Sequence, residues 1–373
     1  MKKAMSGLYV HIPFCKSRCI YCDFFSSTRT AQIDAYVEAL CREIEARCGC
    51  GEYVTIYIGG GTPSWIGIER LERIFAHICC KSSVETTIEC NPDDVTDGFV
   101  KGLERLPVNR VSLGVQSLTD ERLRLLNRRH SAREAVEAVR RLQAAGYENI
   151  SIDMIYGLPG QTMGEWRRDL GEALRLGTPH LSAYSLMYEE GTMLWRMREE
   201  HRVAEAHEEL SIAMYEHLID ACAEAGLEQY ELSNFALRGR ESRHNCSYWE
   251  GEAYVGVGAG AHSYDGEVTR RWNTPDLDLY IRQHDHSIER LSASERFNEI
   301  VFTALRTRRG IDWQRMEQEF PTEASAIRKI ADRHVSIGNL VWESGRLRLT
   351  RQALFVSDDV MSDLMIVSSS PRK

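Results

Sequence analysis

Short β-rich runs alternate with helical patterns along the first half of the chain, and this alternation constrains the fold more than any other feature. Leu8–Ile12, Val54–Ile58, Thr86–Cys90, Arg110–Val115, Asn149–Ile155 and His180–Leu186 read as strands. Ile33–Cys48, Ile68–Cys79, Ala132–Ala145 and Thr162–Leu176 read as helices between them. Tyr36, Leu40 and Ile44, and later Trp166, Leu170 and Leu174, recur every four residues along one helical face. Adjacent parallel strands need a long crossover, which a helix supplies. The pattern predicts an α/β fold built on a partial (β/α)6 barrel over residues 1–236.

Ala204–Ala225 reads as a long amphipathic helix and Gln229–Leu232 as a strand. A polar, loop-like connecting region follows over residues 237–291, with His244-Asn245-Cys246-Ser247-Tyr248-Trp249 and the glycine-rich run Gly256–Gly260. From Ser292 the pattern turns to helices, a hairpin around Glu343-Ser344-Gly345-Arg346 and a last helix. Residues 292–373 therefore read as a small domain of winged-helix type. Winged helices often bind DNA, but the chain carries 46 Lys and Arg against 55 Asp and Glu, a net charge of −9. That balance argues against nucleic acid as a partner and for a packing or protein-partner role of this domain.

No stretch approaches the ~20 apolar residues of a membrane span. The apolar segment after Met1-Lys2-Lys3 is broken by His11 and Pro13, so no secretory signal is expected. The 11 cysteines then belong to a reducing, cytoplasmic setting, where thiols are free, reactive or metal-bound.

Three of them form Cys15-x3-Cys19-x2-Cys22, directly after the first strand. Three thiolates on one short loop can converge on one soft metal centre. Zinc sites usually pair two separated C-x2-C units or mix Cys with His; Cys48-Gly49-Cys50 and Cys79-Cys80 have the wrong spacing for a second unit. Iron–sulfur clusters normally take four cysteines, so three suggest a [4Fe–4S] cluster with one iron open to a small ligand. Zinc and incidental thiols remain the alternatives at this point.

Other polar residues cluster at strand ends. Gly59-Gly60-Gly61-Thr62-Pro63 follows the second strand, and consecutive glycines let a ligand approach exposed backbone N–H groups or simply make a tight turn. Glu89 ends the third strand, Gln116 follows the fourth and Asp153 lies in the fifth. Polar groups in apolar strands need partners, and several at matching places suggest one shared polar ligand. Arg128-Arg129-His130 reads as a solvated face apart from Arg128, and His11 as either a core residue or a cluster neighbour. Gly256-x-Gly258-x-x-Ala261 superficially fits a dinucleotide fingerprint, but His262–Gly266 reads as a turn and not as a helix, which argues against a nicotinamide site.

With the cysteine spacing in this position the chain resembles the radical S-adenosylmethionine (SAM) enzymes. Tyr9-Val10-His11-Ile12-Pro13-Phe14-Cys15 and Asp153-Met154-Ile155-Tyr156-Gly157-Leu158-Pro159-Gly160 narrow the resemblance to the oxygen-independent coproporphyrinogen III oxidase-like family, over nearly the whole chain. The resemblance implies that Cys15, Cys19 and Cys22 hold the cluster and that Tyr9, Gly60 and Glu89 contact SAM bound to it. Tyr21, Gly61, Thr62, Gln116, Arg128 and Asp153 match a second SAM site of the family's dehydrogenase.

Two departures point to the heme-chaperone branch. The dehydrogenase has a further cysteine where this chain has Phe24, and an extension ahead of the first strand. The mark of the chaperone branch, H-N-x-x-Y-W, is complete as His244, Asn245, Tyr248 and Trp249. Imidazole can ligate iron and aromatic rings can pack on a porphyrin, so the resemblance implies heme binding there, with Cys246 as a second candidate ligand. The implied partners are heme, a heme-accepting protein, an electron donor for the cluster and a second copy of the chain. The competing reading is radical decarboxylation of coproporphyrinogen III propionates.

Overall fold

A computed structural model describes residues 5–366 apart from Cys50, Ser82 and His284. Cys50, Met1-Lys2-Lys3 and residues 367–373 of the expected C-terminal domain thus lie outside the described residues. Six parallel strands run in sequence order: β1 (Met5–Ile12), β2 (Tyr53–Gly60), β3 (Glu85–Cys90), β4 (Arg110–Gln116), β5 (Ile150–Tyr156) and β6 (His180–Ser185). They form the partial (β/α)6 barrel. Helices Ile33–Arg47, Ile68–Ala76, Ala132–Ala144 and Met163–Arg175 cover one face of the sheet. Ser131 with Glu134, and Thr162 with Glu165, close reciprocal capping boxes at two of the helix starts. Helices Asp97–Leu103 and Asp120–Leu125, too short to show a period, join them.

Strand alternation sorts the side chains. Leu8, Val10 and Ile12 of β1, Val111, Leu113 and Val115 of β4, and Ile152 and Met154 of β5 are fully buried beneath the helices. Each contributes about 1.5–3 kcal/mol of burial. The alternate residues face the barrel interior. They are polar to an unusual degree for parallel strands, which are generally apolar on both faces. Thr55, Tyr57, Thr87, Glu89, Arg110, Ser112, Asp153, His180 and Ser182 belong to this set.

The region 237–291 is more ordered than its composition suggests. Among the described residues, twelve strands form one sheet. β7 (Glu228–Gln229) and β8 (Asn234–Ala236) extend it beyond β6. β9 (Tyr254–Val257), β10 (His262–Tyr264), β11 (Thr269–Asn273) and β12 (His286–Arg290) extend it beyond β1, with β9 parallel to β1. The expected strand Gln229–Leu232 thus stops at Gln229, and His262–Tyr264 is a strand rather than a turn. Gly256 lies on β9 because a Cβ there would sit 1.9 Å from the His262 carbonyl oxygen. Strand, turn and strand in succession leave no helix N-terminus for a dinucleotide.

Phe297, Val301, Leu305, Trp313, Phe320, Ile327, Leu340 and Leu347 form a core separate from that of the barrel. A three-stranded sheet accompanies it, and its hairpin Leu340–Glu343/Arg346–Leu349 turns at Ser344-Gly345, both at positive φ. No helix among the described residues is long and apolar enough to cross a membrane.

Candidate functional site

The chain leaving β1 is held from several sides. The Phe14 ring is fully buried, edge-on to Tyr36 at 5.2 Å. The Cys15 N–H donates to the Ser27 carbonyl at 3.0 Å, and the Ile20 carbonyl accepts from the Leu194 N–H at 2.8 Å. Cys15, Cys19 and Cys22 thereby line one wall of a chamber of about 540 Å3 at the C-terminal ends of the strands. Their thiols are free. The Thr62 hydroxyl donates to Cys15 Sγ at 3.6 Å and Arg128 Nη1 to Cys19 Sγ at 3.3 Å, so a hydroxyl and a cation already face thiolate positions. Burial pushes the Cys15 thiol up and the Cys22 thiol up to about 11, so metal loading must displace protons. No three His, Cys, Asp or Glu side chains among the described residues are gathered tightly enough for a single metal ion. The thiols stand around a shared space, a donor set that fits a cluster.

Of the two parts open to the glycine segment, its N–H groups are used within the fold. The Gly60 N–H donates to Glu89 Oε2 at 3.0 Å. The Gly61 and Thr62 N–H groups donate to the Ile12 and Phe14 carbonyls, each at 2.8 Å. These donors hold the cysteine loop and Glu89 and are not exposed to a ligand. The glycines allow the close approach: a Cβ on Gly61 would lie 2.8 Å from the Phe14 oxygen and 3.0 Å from Cys15 Sγ, and one on Gly60 would enter the His11 ring.

Tyr21, Gly60, Gly61, Thr62, Glu89, Gln116, Arg128 and Asp153 all line the chamber with the cysteines. Tyr9 does not; its hydroxyl pairs with His11 Nδ1 at 2.9 Å, and His11 Nε2 contacts the Phe25 carbonyl at 3.0 Å, which makes His11 a core residue. Gln116 reaches the chamber from a register shift in β4, at φ 71, a conformation uncommon for a residue with a Cβ. Arg128-Arg129-His130 is not a solvated face. Arg128 bonds Cys19, Asn91 and the Gly114 carbonyl; Arg129 pairs with Asp93 and Asp94; His130 is buried with Nε2 on the Val115 carbonyl.

The H-N-x-x-Y-W segment is a helix, Arg243–Trp249, and not a loop. The Ser242 side chain caps it, and Glu85 accepts the Arg243 and His244 N–H groups at 3.1 and 3.0 Å. His244 is 1% exposed. Its Nδ1 meets the Thr55 hydroxyl and its Nε2 the Tyr248 hydroxyl, both at 2.8 Å, and its ring stacks on Tyr57 at 5.1 Å. Desolvation lowers its pKa to about 3, so the ring is neutral. With both nitrogens engaged it offers no lone pair to an iron in this arrangement. Of the four motif residues Asn245 alone lines the chamber, and Trp249 lies under the Arg306 guanidinium at 5.5 Å. The motif closes the floor of the barrel, where His244 supports Tyr57.

Tyr57 in turn donates to Glu89 Oε1 at 2.8 Å. Burial raises the Glu89 pKa from 4.5 to about 7, and the Tyr57 and Gly60 hydrogen bonds oppose the rise. A carboxyl with a raised native pKa favours the folded state most below its unfolded value and loses that contribution as pH rises through the native one. Protein free of cluster and SAM should therefore lose stability between pH 5 and 8 by this group's titration. Glu89→Gln should flatten that part of a urea-midpoint profile; an unchanged slope would show that Glu89 titrates normally. Arg110, Asn91, Ser112, Ser182 and Tyr184, which also line the chamber, were not singled out by sequence. For all but Asn91, which follows β3, the inward phase within the strands is the available signal.

A profile of the radical SAM superfamily matches residues 9–173, and one of the HemN C-terminal domain matches residues 291–356. A heme chaperone HemW of Lactococcus lactis is 38% identical, with 86% of each chain covered. The heme chaperone HemW of Bacillus subtilis is 35% identical over 85% of this chain and 87% of its own. The radical S-adenosyl methionine domain-containing protein 1, mitochondrial, of Bos taurus is 32% identical over 96% of this chain and 87% of its own. The solved coproporphyrinogen III oxidase (HemN) of Escherichia coli shares the fold, with a TM-score of 0.82 over 97% of this chain and 90% of its own, at 20% identity. With strands, cysteine loop and chamber arranged as described, these matches place the chain in the radical SAM superfamily, and within it the chain belongs to the heme chaperone HemW family.

Proposed function

We propose that this protein binds heme and passes it to an acceptor protein, on a scaffold that carries a [4Fe–4S] cluster and SAM. The observation that carries the reading is the match to heme chaperones over 86% of both chains. Phe24, 66% exposed at the chamber, supports it, since the dehydrogenase pattern has a cysteine at that position. Bound there, a [4Fe–4S] cluster would supply electron transfer to the SAM sulfonium. The chain's own residues do the holding. Cys15, Cys19 and Cys22 would hold the cluster, with Arg128 and Thr62 already on the Cys19 and Cys15 sulfurs, and Glu89, fixed by Tyr57 and Gly60, would offer a carboxyl to the SAM amino group. Tyr21, Gln116 and Asp153 remain polar walls of the same chamber. His244, Asn245, Tyr248 and Trp249 enter as its floor; for His244 to bind heme iron, its ring would have to leave Thr55 and Tyr248. An electron donor and a second copy of the chain belong to the same reading.

The test combines a heme titration of the purified protein with an anaerobic assay on coproporphyrinogen III with cluster, SAM and reductant present. Saturable heme binding without protoporphyrinogen formation is the expected result. Decarboxylation of the porphyrinogen would restore the enzymatic reading.

A further inference from the structure

The inner faces of the last two barrel strands change character along their length. On β5 the inward phase runs Ser151, Asp153, Ile155; on β6 it runs His180, Ser182, Tyr184, with Leu186 next beyond the strand end. Ile155 and Tyr184 are register partners, and Leu186 and Tyr21 pack on Ile155, Leu126 and Leu158. The earlier strands end differently: Gly60, Glu89 and Gln116 bring polar groups to the chamber beside the cysteines. The chamber therefore has a polar wall at the ends of β1–β4 and an apolar wall at the ends of β5 and β6. Phe24 and Met187 line the same chamber and are each 66% exposed, the most open of the described large hydrophobic side chains, which puts them at its mouth. The Ile20 carbonyl, bonded to the Leu194 N–H, ties the loop that carries Phe24 to the segment after Met187.

Large apolar side chains left open around one cavity mark a binding surface. We infer that this wall seats the macrocycle of heme, which lies against Phe24, Tyr184, Leu186 and Met187. The inference rests on the reading above that the protein binds heme, and it puts the heme at the chamber mouth instead of the motif helix, where His244 is closed in. Charge does not select the ligand here. The lining sets Arg18, Arg110, Arg128 and Arg129 against Asp23, Glu89, Asp153 and Glu189, a formal balance of zero. Arg128 is held by Cys19 and Asn91, Arg129 by Asp93 and Asp94, and Arg110 is buried. Arg18 is then the exposed cation of the lining, beside exposed Asp23 and half-buried Glu189. The propionates gain no net attraction from that set and stay in water, so the ring supplies the affinity. Size separates heme from a protein partner. A stable protein interface takes about 20–30 residues a side, whereas the few apolar side chains of this wall suit one face of a flat macrocycle.

Heme and heme dimethyl ester, which keeps the iron and macrocycle without the propionate charges, are titrated into wild type, Phe24→Ser, Met187→Ser and the double variant. SAM is titrated into cluster-reconstituted samples, and oligomeric state is followed by sedimentation. Ile288→Ser, at a position almost as exposed on β12 and outside the chamber lining, controls for general adhesion of heme to apolar surface. Each single substitution should weaken both heme and its ester by about tenfold, and the double variant by more, because apolar contact is lost. The ester should bind wild type within about fivefold of heme, since exposed charges add little. Denaturation midpoints and cluster content should stay as in wild type, because both side chains stand mostly in solvent. Wild-type heme affinity in the double variant overturns the inference, as does an equal loss in Ile288→Ser or a larger loss on esterification. A loss confined to SAM would give the wall to the nucleoside, and a changed oligomeric state with heme affinity intact would give it to a second copy; either overturns the inference. If wild type binds no heme, the proposed function itself fails. If wild type and the double variant bind heme alike, the seat alone fails.

Discussion

Cys19→Ala should abolish the proposed iron–sulfur centre: reconstituted under anaerobic conditions, the variant should be colourless, with iron and sulfide near background. Wild type treated alike should hold about four irons and four sulfides per chain. The effect is all-or-none because the loop after β1 would supply three thiols to the centre and Cys19 is the middle one, in contact with Arg128. Two remaining thiolates leave half the cluster's irons without a protein ligand. The control is Cys79→Ala, since Cys79 follows the helix Ile68–Ala76 and lies outside the chamber lining. It should retain colour and iron. Zinc without sulfide in wild type would remove the cluster assignment and return the site to the zinc alternative.

His244→Ala should cost about 2–4 kcal/mol of folding stability, measured as a fall in the urea midpoint at constant m-value. The ring fills a buried position under Tyr57, and its removal leaves a cavity and takes a partner from the Thr55 and Tyr248 hydroxyls. The backbone donors of the same helix to Glu85 remain, so the helix should stay docked. Tyr248→Phe breaks one of the hydrogen bonds and should cost about 1 kcal/mol. A variant as stable as wild type would mean that the imidazole is not held in the floor, and would reopen the exposed-ligand reading of the motif.

Part of this architecture is legible locally. A strand's period of two and a helix's recurrence of four are properties of the chain itself, so the six barrel strands and the four long helices emerge within a few residues of their observed bounds. The cysteine loop is legible for the same reason. Three thiols within eight residues need no distant partner to be near one another, and their place after β1 sets the face of the barrel they serve. Strand phase alone marks the polar residues Glu89, Gln116 and Asp153.

What depends on residues far apart in sequence was decided by tertiary structure. The helix Arg243–Trp249 is too short to hold itself, and its conformation comes from docking on Glu85 and Thr55. The same docking turns a histidine that composition presents as a free ligand into a neutral floor residue. Likewise the glycine N–H groups, available in isolation, are used by the loop that packs across them. Arg110 shows the limit most clearly. Sequence places a cation at the start of an apolar run. Parallel register with β3 turns it inward, where its Nε and Nη1 are buried without an acceptor among the described residues. Periodicity is written in the chain, whereas hydrogen-bond satisfaction is a property of the assembled interior, because each donor's fate depends on which distant acceptor folding brings to it.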